Sequence, residues 1–299
     1  MKTALLKACL ERFKKYDAWL SKQPLSENTR RAYRSRTNHF LVFLAQSGDE
    51  YKDVFASASE RDYILKDYKR YLKLSLKMRP TSVNSAITAI DHFYQYLGLP
   101  ATKIKREELP RAAPRALTPG DQKRFRRACE RSPRAIDRAI VFLLLNTGMR
   151  IAECAALDVD DVYAQGRKNR VVIRNGKGDR YREIPLNAEA CEAITAWLAA
   201  RTKKFAGKKV DEALFLNPQG KRMSTASIDL IVRKIGRDCG IELSPHILRH
   251  TCLTNLVRNG TDLVLVADLA GHKRLETTRR YTLPSESDRE RAVAGLIEE

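Results

Sequence analysis

Residues 99–117, LPATKIKREELPRAAPRAL, carry three prolines among small and charged residues. Proline removes a backbone donor and disfavours a helical residue before it, so no helix runs through this stretch. On either side, apolar residues recur at three-and-four spacing, the mark of helices with one buried face. The pattern predicts two helical bodies, 1–98 and 118–299, joined by a linker at 99–117. In a chain of 299 residues each body has enough length for its own core.

The first body reads as four amphipathic helices. Leu5, Leu6, Cys9, Leu10, Phe13, Tyr16 and Leu20 line one face of the first. The second opens near Ser26, a serine cap. The third opens at Ser59, and the fourth near Thr81, just after Pro80, ending at Gly98. Together they make a four-helix bundle's worth of pattern. Tyr33, Tyr63, Tyr68, Tyr71, Tyr94 and Tyr96 are expected in its core or rim.

Beyond the linker, a capped helix is expected from Thr118 and a more apolar one ending at Gly148. RVVIRNGKGDRYREIPL reads as two strands around a glycine turn. Helices follow at about 188–202, 224–239, 244–259, 261–270 and 284–297. The fold class is mainly α with a small β-sheet.

A net charge of +20 favours a polyanionic partner, nucleic acid first and an acidic membrane surface second. Roughly half of the excess precedes residue 105, so the charge is not one basic tail. The six cysteines form no C-x-x-C pair and lack zinc-site spacing, which fits reduced thiols in an intracellular protein. The N-terminus lacks a signal-peptide pattern, and no run approaches the ~20 apolar residues of a membrane span. Neither a G-x-x-x-x-G-K-[ST] loop nor a carboxylate cluster for catalytic metals is present, so no cofactor and no metal are expected.

Four separated segments carry the polar residues of interest. TGMRIAE holds Arg150, and the turn NGKGD holds Lys177. SPHILRHT places His246 and Arg249 three apart, on one face of a helix. GHKRLETTRRYT holds His272 and Tyr281. Each alone has a plainer reading: Arg150 in a salt bridge with Glu153 or Asp158, Lys177 solvating a turn, His246 capping a helix, Arg249 as surface charge, His272 in the core, Tyr281 at the surface. Together they match the needs of phosphoryl transfer. Two arginines give planar donors to two phosphate oxygens, histidines donate or accept, a lysine protonates a leaving oxygen, and a tyrosine hydroxyl attacks phosphorus.

The order TGMRIAE, GKGDRYREIPL, HILRH, LAGH, RRYT resembles the tyrosine recombinase/integrase family, Xer-like, over about residues 118–290. The resemblance implies a catalytic domain at 118–299, a core-binding domain at 1–98, and a C-shaped clamp on DNA. It implies that Arg150 and Arg249 clamp the scissile phosphate and that His246 and His272 bond its oxygens, His246 also assisting proton removal. Lys177 would protonate the leaving 5′-hydroxyl and Tyr281 would form a 3′-phosphotyrosine. Glu153 would orient the site rather than react, and His250 would be structural.

The partner implied is double-stranded DNA with paired inverted repeats, bound by a tetramer of this chain or with a paralogue. The setting implied is the cytoplasm, at the nucleoid. Strands would exchange through a Holliday junction. Arg30, Arg31, Arg34 and Arg36, with Arg279 and Arg280 beside the tyrosine, are candidates for DNA contact. The tail helix at 284–297 would dock on a neighbouring subunit. Two departures from the family pattern stand out: Leu283 and Pro284 follow Thr282 where many relatives carry a histidine, and the segment from His272 to Tyr281 is unusually basic. Two other readings share the motifs. One is a type IB topoisomerase or telomere resolvase, and the other a non-catalytic DNA-binding regulator on the same scaffold.

Overall fold

The computed structural model describes residues 2–47, 51, 53–109, 113–166, 168–174, 181–284, 288–290 and 293, with residues 2–5 described by backbone alone. The chain divides into two compact units, Met1–Pro110 and Arg111–Glu299. The described residues are mostly helical, with one three-stranded sheet. No helix among them is long and apolar enough to cross a membrane.

The first unit is built on α1 (Lys2–Leu20), α2 (Glu27–Gln46), α3 (Ala58–Leu74) and α4 (Pro80–Tyr96). Ser26 caps α2 by accepting the Thr29 N–H, and Ser57 caps α3 through Glu60. Pro80 starts α4, where its missing N–H costs no hydrogen bond. The buried faces meet in one core that includes Tyr16, Phe40, Leu44, Ile64, Tyr68, Ile87, Phe93 and Tyr94. Burying each large apolar side chain contributes about 1.5–3 kcal/mol. Tyr63, expected in the core or rim, is 62% exposed.

Residues 102–107, within the expected linker, are bonded to this unit. Asp91 accepts from the backbone N–H and hydroxyl of Thr102 at 3.0 and 2.8 Å. Asn84 donates to the Glu107 carbonyl and accepts the Glu107 N–H, at 2.8 and 2.7 Å. Lys69 and Lys73 hold the Glu107 carboxylate at 2.7 and 2.9 Å. A segment without helical period thus satisfies backbone groups through side chains of α3 and α4.

In the second unit, α5 (Pro119–Glu130) is capped by Thr118, and α6 (Ala135–Thr147) ends at Gly148 in the left-handed conformation. The short α7 (Ile151–Ala156) follows at once. Strands β1 (Val162–Tyr163), β2 (Arg170–Ile173) and β3 (Arg182–Pro185) form an antiparallel sheet in that order, with Val171 opposite Ile184 and Ile173 opposite Arg182. The expected two strands are β2 and β3. The third, β1, has two residues and so no alternation to reveal it. The turn between β2 and β3, with Lys177, lies outside the described residues.

Then come α8 (Ala188–Lys204), α9 (Thr225–Asp238), α10 (Pro245–Arg258), α11 (Leu263–Ala270) and the one-turn α12 (Glu276–Arg279). A 3-10 turn, Arg280–Thr282, carries Tyr281. The apolar α6 packs on α8 and α10 at the centre of this unit. The tail helix expected at 284–297 lies mostly outside the described residues. Within it, Asp288–Glu290 are helical.

Gly236 on α9 has no room for a side chain. A β-carbon there would sit 2.6 Å from the Ile241 carbonyl oxygen and 2.9 Å from Leu243 Cβ. Gly236→Ala should therefore force α9 from the segment at 241–243 and cost about 1–3 kcal/mol. Urea denaturation checks this; a midpoint equal to that of the parent chain would show that the segment yields freely.

Candidate active site

Two helix ends create the site. The left-handed glycines Gly148 and Gly271 terminate α6 and α11, leaving backbone carbonyls unpaired at each C-terminus. Those carbonyls meet cations. Arg249 donates to Gly148 O at 2.6 Å and to Ala270 O at 2.8 Å. Arg150 donates to Gly271 O at 3.0 Å, and Arg182 to Leu269 O at 3.0 Å. Positive charge at a helix C-terminus is favoured by the backbone dipoles. Gly271 is also a close approach, since a β-carbon there would lie 3.0 Å from Arg182 Nη1.

One carboxylate ties two of these arginines together. Glu153 stands at the third position of α7, and its Oε2 accepts the Arg150 backbone N–H at 2.7 Å. Its Oε1 accepts from the Arg150 side chain at 2.8 Å. Arg182 reaches both oxygens, at 3.1 and 2.7 Å. Burial alone would raise the Glu153 pKa, but the hydrogen bonds from Arg182 and the Arg150 N–H outweigh it and hold the carboxyl below its usual range. The plain pairing of Arg150 with Glu153 is therefore realised in a geometry that also bonds Arg150 to Gly271, next to His272.

On α10, His246, Arg249 and His250 fall at i, i+3 and i+4 and share a face. Arg249 is 4% exposed. Burial, then the charge of Arg150, lower its pKa to about 10, so it stays protonated at neutral pH. His272 Nε2 lies 3.0 Å from Arg249 Nη2. A guanidinium only donates, so Nε2 accepts and the proton is on Nδ1, which donates to Thr278 Oγ1 at 2.8 Å. The His272 ring is thereby fixed as the neutral form. Burial and the neighbouring arginines agree, lowering its pKa to about 4.

Tyr281 lies beside them, 5% exposed. Its ring is nearly parallel to that of His272, at 6° and 6.2 Å between centroids. Its hydroxyl is 2.9 Å from His250 Nδ1. His250 in turn meets the His246 ring edge-on at 4.0 Å. Burial raises the Tyr281 pKa, and the charges of Arg249 and Arg280 pull it down by less. A groove beside the arginines is lined by Arg150, Gly271, His272, Lys273, Arg274 and Thr277.

Of the expected residues, Arg150, His246, Arg249, His272, Tyr281 and Glu153 come together. Lys177 lies outside the described residues. Arg279 and Arg280 are exposed next to Tyr281. On α2, Arg30 pairs with Glu27 at 3.0 Å and Arg34 with Asp17 at 2.5 Å, whereas Arg31 is exposed and Arg36 half-buried. One residue, Arg182, escaped the sequence reading. His250, expected to be structural, touches the Tyr281 hydroxyl, and its i+4 spacing from His246 places it there. Arg182 had no signal beyond its alternation on β3, which turns it inward.

Arg182 and Glu153 are buried partners, and removing Arg182 takes two of the four hydrogen bonds and one of the two paired charges from the Glu153 carboxylate. Arg182→Met should destabilise the chain by about 3 kcal/mol in urea denaturation. Adding Glu153→Gln should recover part of that loss, because the under-compensated buried charge is then gone. A double variant less stable than Arg182→Met would contradict this account.

Comparison with known proteins bears on this geometry. A sequence model described as the phage integrase family matches residues 115–287. The tyrosine recombinase XerC of Roseiflexus castenholzii is 32% identical over 270 residues, covering 86% of this chain and 83% of that one. The tyrosine recombinase XerA of Thermococcus kodakarensis is 32% identical over 208 residues, 67% of this chain and 70% of that one. A crystal structure of the XerH site-specific recombinase, bound to a palindromic difH substrate after cleavage, has the same fold. Its TM-score is 0.73 at 19% identity, over 100% of this chain and 97% of that one. With the match spanning more than half its length, this chain belongs to the phage integrase family and is a tyrosine recombinase.

Proposed function

We propose that this recombinase cuts and rejoins duplex DNA at specific sites through Tyr281. One observation carries the reading: within a single chain, a buried tyrosine shares a cluster with His250, His272, Arg249 and, through the Gly271 carbonyl next to His272, Arg150. In this reading Arg150 and Arg249 bind the two non-bridging oxygens of the scissile phosphate. Their fixed charges, held by helix-end carbonyls, stabilise the transition state without reorganising. His272 and His246 add contacts to the same oxygens.

As the Tyr281 oxygen bonds to phosphorus it gives up its proton, assisted by His246, while the bond to the 5′-oxygen breaks and that oxygen takes a proton from Lys177. The strand is then held as a 3′-phosphotyrosine. The 5′-hydroxyl of a partner strand attacks that phosphorus, and the tyrosine oxygen departs and regains a proton. Phosphodiester energy is conserved across the two steps. Repetition on the second pair of strands passes through a Holliday junction.

The substrate proposed is a pair of inverted-repeat sites, by likeness to the palindromic DNA of the XerH complex. Four subunits, all of this chain or shared with a paralogue, would hold two sites at the nucleoid. The first unit would act as core-binding domain and the second as catalytic domain. The net charge of +20, spread over both, supports contact along the phosphate backbone. Arg31, Arg36, Arg279 and Arg280 are the proposed basic contacts; Arg30 and Arg34 already have carboxylate partners.

The test is a nicked duplex bearing the inverted repeat that flanks the gene. Wild type should give a covalent adduct on denaturing gels, and Tyr281→Phe none, with DNA affinity unchanged. An adduct from Tyr281→Phe would place the nucleophile elsewhere.

The site also predicts how stability responds to acid. Burial, then neighbouring positive charge, lower His250 and His272 to about 3 and about 4, from an ordinary 6.5. The unfolded chain takes up protons that the folded chain refuses. Their stabilisation is therefore complete above pH ~6.5 and is lost progressively toward pH ~4. Melting temperatures should fall between pH ~6.5 and ~4.5, above most carboxylate titrations. His250→Asn should flatten part of the slope. An unchanged melting temperature across that window would refute the assignment.

A further inference from the structure

We propose that His250 is a positioning residue for the nucleophile: its Nδ1 accepts the Tyr281 hydroxyl proton in a hydrogen bond and fixes where the phenol oxygen lies. The inference rests on the reading of Tyr281 as nucleophile. Three features of the geometry point to it. His250 Nδ1 and Tyr281 Oη are 2.9 Å apart, with both residues buried. The tyrosine ring lies nearly parallel to that of His272 with 6.2 Å between centroids, and Arg249 also bonds the phenol, so the His250 contact belongs to a set that surrounds Tyr281. The His250 ring is seated edge-on against His246, one turn earlier on α10, so it is not free to swing away.

Direction matters here. A hydroxyl that donates to Nδ1 turns its proton toward α10 and leaves its lone pairs for phosphorus. This requires a neutral imidazole with its proton on Nε2. Burial and the charges around it keep His250 in the neutral form at physiological pH. Tyr281 itself sits on a 3-10 turn after a four-residue helix, a short element with few backbone bonds to fix it. A side-chain tether from the long α10 supplies that fixing. A misplacement of about 1 Å at a reacting atom costs on the order of 100-fold in rate.

Three measurements on the full chain test the proposal. First, with tyrosine labelled by ¹³C at the ζ carbon, the Tyr281 resonance is identified by its loss in Tyr281→Phe. It should shift in His250→Ala and return toward the parent position in His250→Asn, whose amide oxygen can stand in for Nδ1. An unmoved resonance would overturn the contact, and this readout needs no DNA.

Second, the adduct-forming rate on the nicked inverted-repeat duplex should fall about 100-fold in His250→Ala at unchanged DNA affinity, and recover to within about tenfold in His250→Asn. A wild-type rate in His250→Ala would overturn the proposal. If circular dichroism shows that His250→Ala does not fold, His250→Asn and His250→Gln carry the comparison. Glutamine, one carbon longer, should not rescue.

Third, a DNA strand ending in 3′-p-nitrophenyl phosphate bypasses the tyrosine. A 5′-hydroxyl attacks its phosphorus, p-nitrophenolate leaves, and the hydroxyl proton is released to solvent. Joining of this strand should proceed equally in Tyr281→Phe and in Tyr281→Phe with His250→Ala, because no nucleophile remains to be positioned. Slower joining in the double variant would show that His250 acts on the phosphate or the fold instead, and would overturn the proposal. Absence of joining in Tyr281→Phe itself would count against the arginine clamp, while the resonance measurement still judges the His250 contact.

Discussion

The carboxylate of Glu153 is the anion around which the second unit's polar centre is organised. It is buried, and it accepts four hydrogen bonds from Arg150 and Arg182. Through Arg150 it fixes the start of α7 just after the end of α6. Through Arg182 it fastens β3 to α7, while the same guanidinium reaches the end of α11. Three stretches distant in sequence, α6 with α7, β3 and α11, thus converge on one negative charge. Two guanidiniums share that charge and Arg249 stands nearby, so positive charge remains in excess, as the proposed reading requires.

The surplus is tolerated because helix ends share the work. The last carbonyls of α6 and α11 face Arg249 and Arg150, and both helices end in left-handed glycines that turn the chain away and leave those carbonyls accessible. Arg249 is held at three points, Gly148, Ala270 and His272. In the proposed reading the arginines are oriented by the fold rather than by the phosphate. Such orientation lowers the cost of assembling a transition state.

Much of this was readable from residues. Serine and threonine caps placed the starts of α2 and α5, Gly148 placed the end of α6, and β-branched runs around a glycine turn placed β2 and β3. The spacing of His246 and Arg249 put them on one face. What escaped has physical causes. A two-residue strand has no period, and a one-turn helix followed by a 3-10 turn has no buried stripe, so β1 and the element bearing Tyr281 left no pattern. Arg182 and His250 act through contacts made by elements far apart in sequence, and pairings of that kind have no local signature. The proline-rich segment was legible as a break in helix. That its residues 102–107 fasten to α3 and α4 depends on side chains of Asn84, Asp91 and Lys69, which carry no mark of such a partner.

That fastening sets where the chain can be divided as a set of interchangeable parts. The hydrogen bonds of Thr102, Arg106 and Glu107 make the stretch through residue 107 a piece of the first unit's surface. A hybrid protein joined at residue 98 would strip Asn84, Asp91 and Lys69 of their partners and leave polar groups to be resolvated. Joined at the division between Pro110 and Arg111, it would carry the first unit away whole. Trading the first unit for another, in the laboratory or over evolutionary time, therefore has a natural seam about a dozen residues beyond the end of the fourth helix.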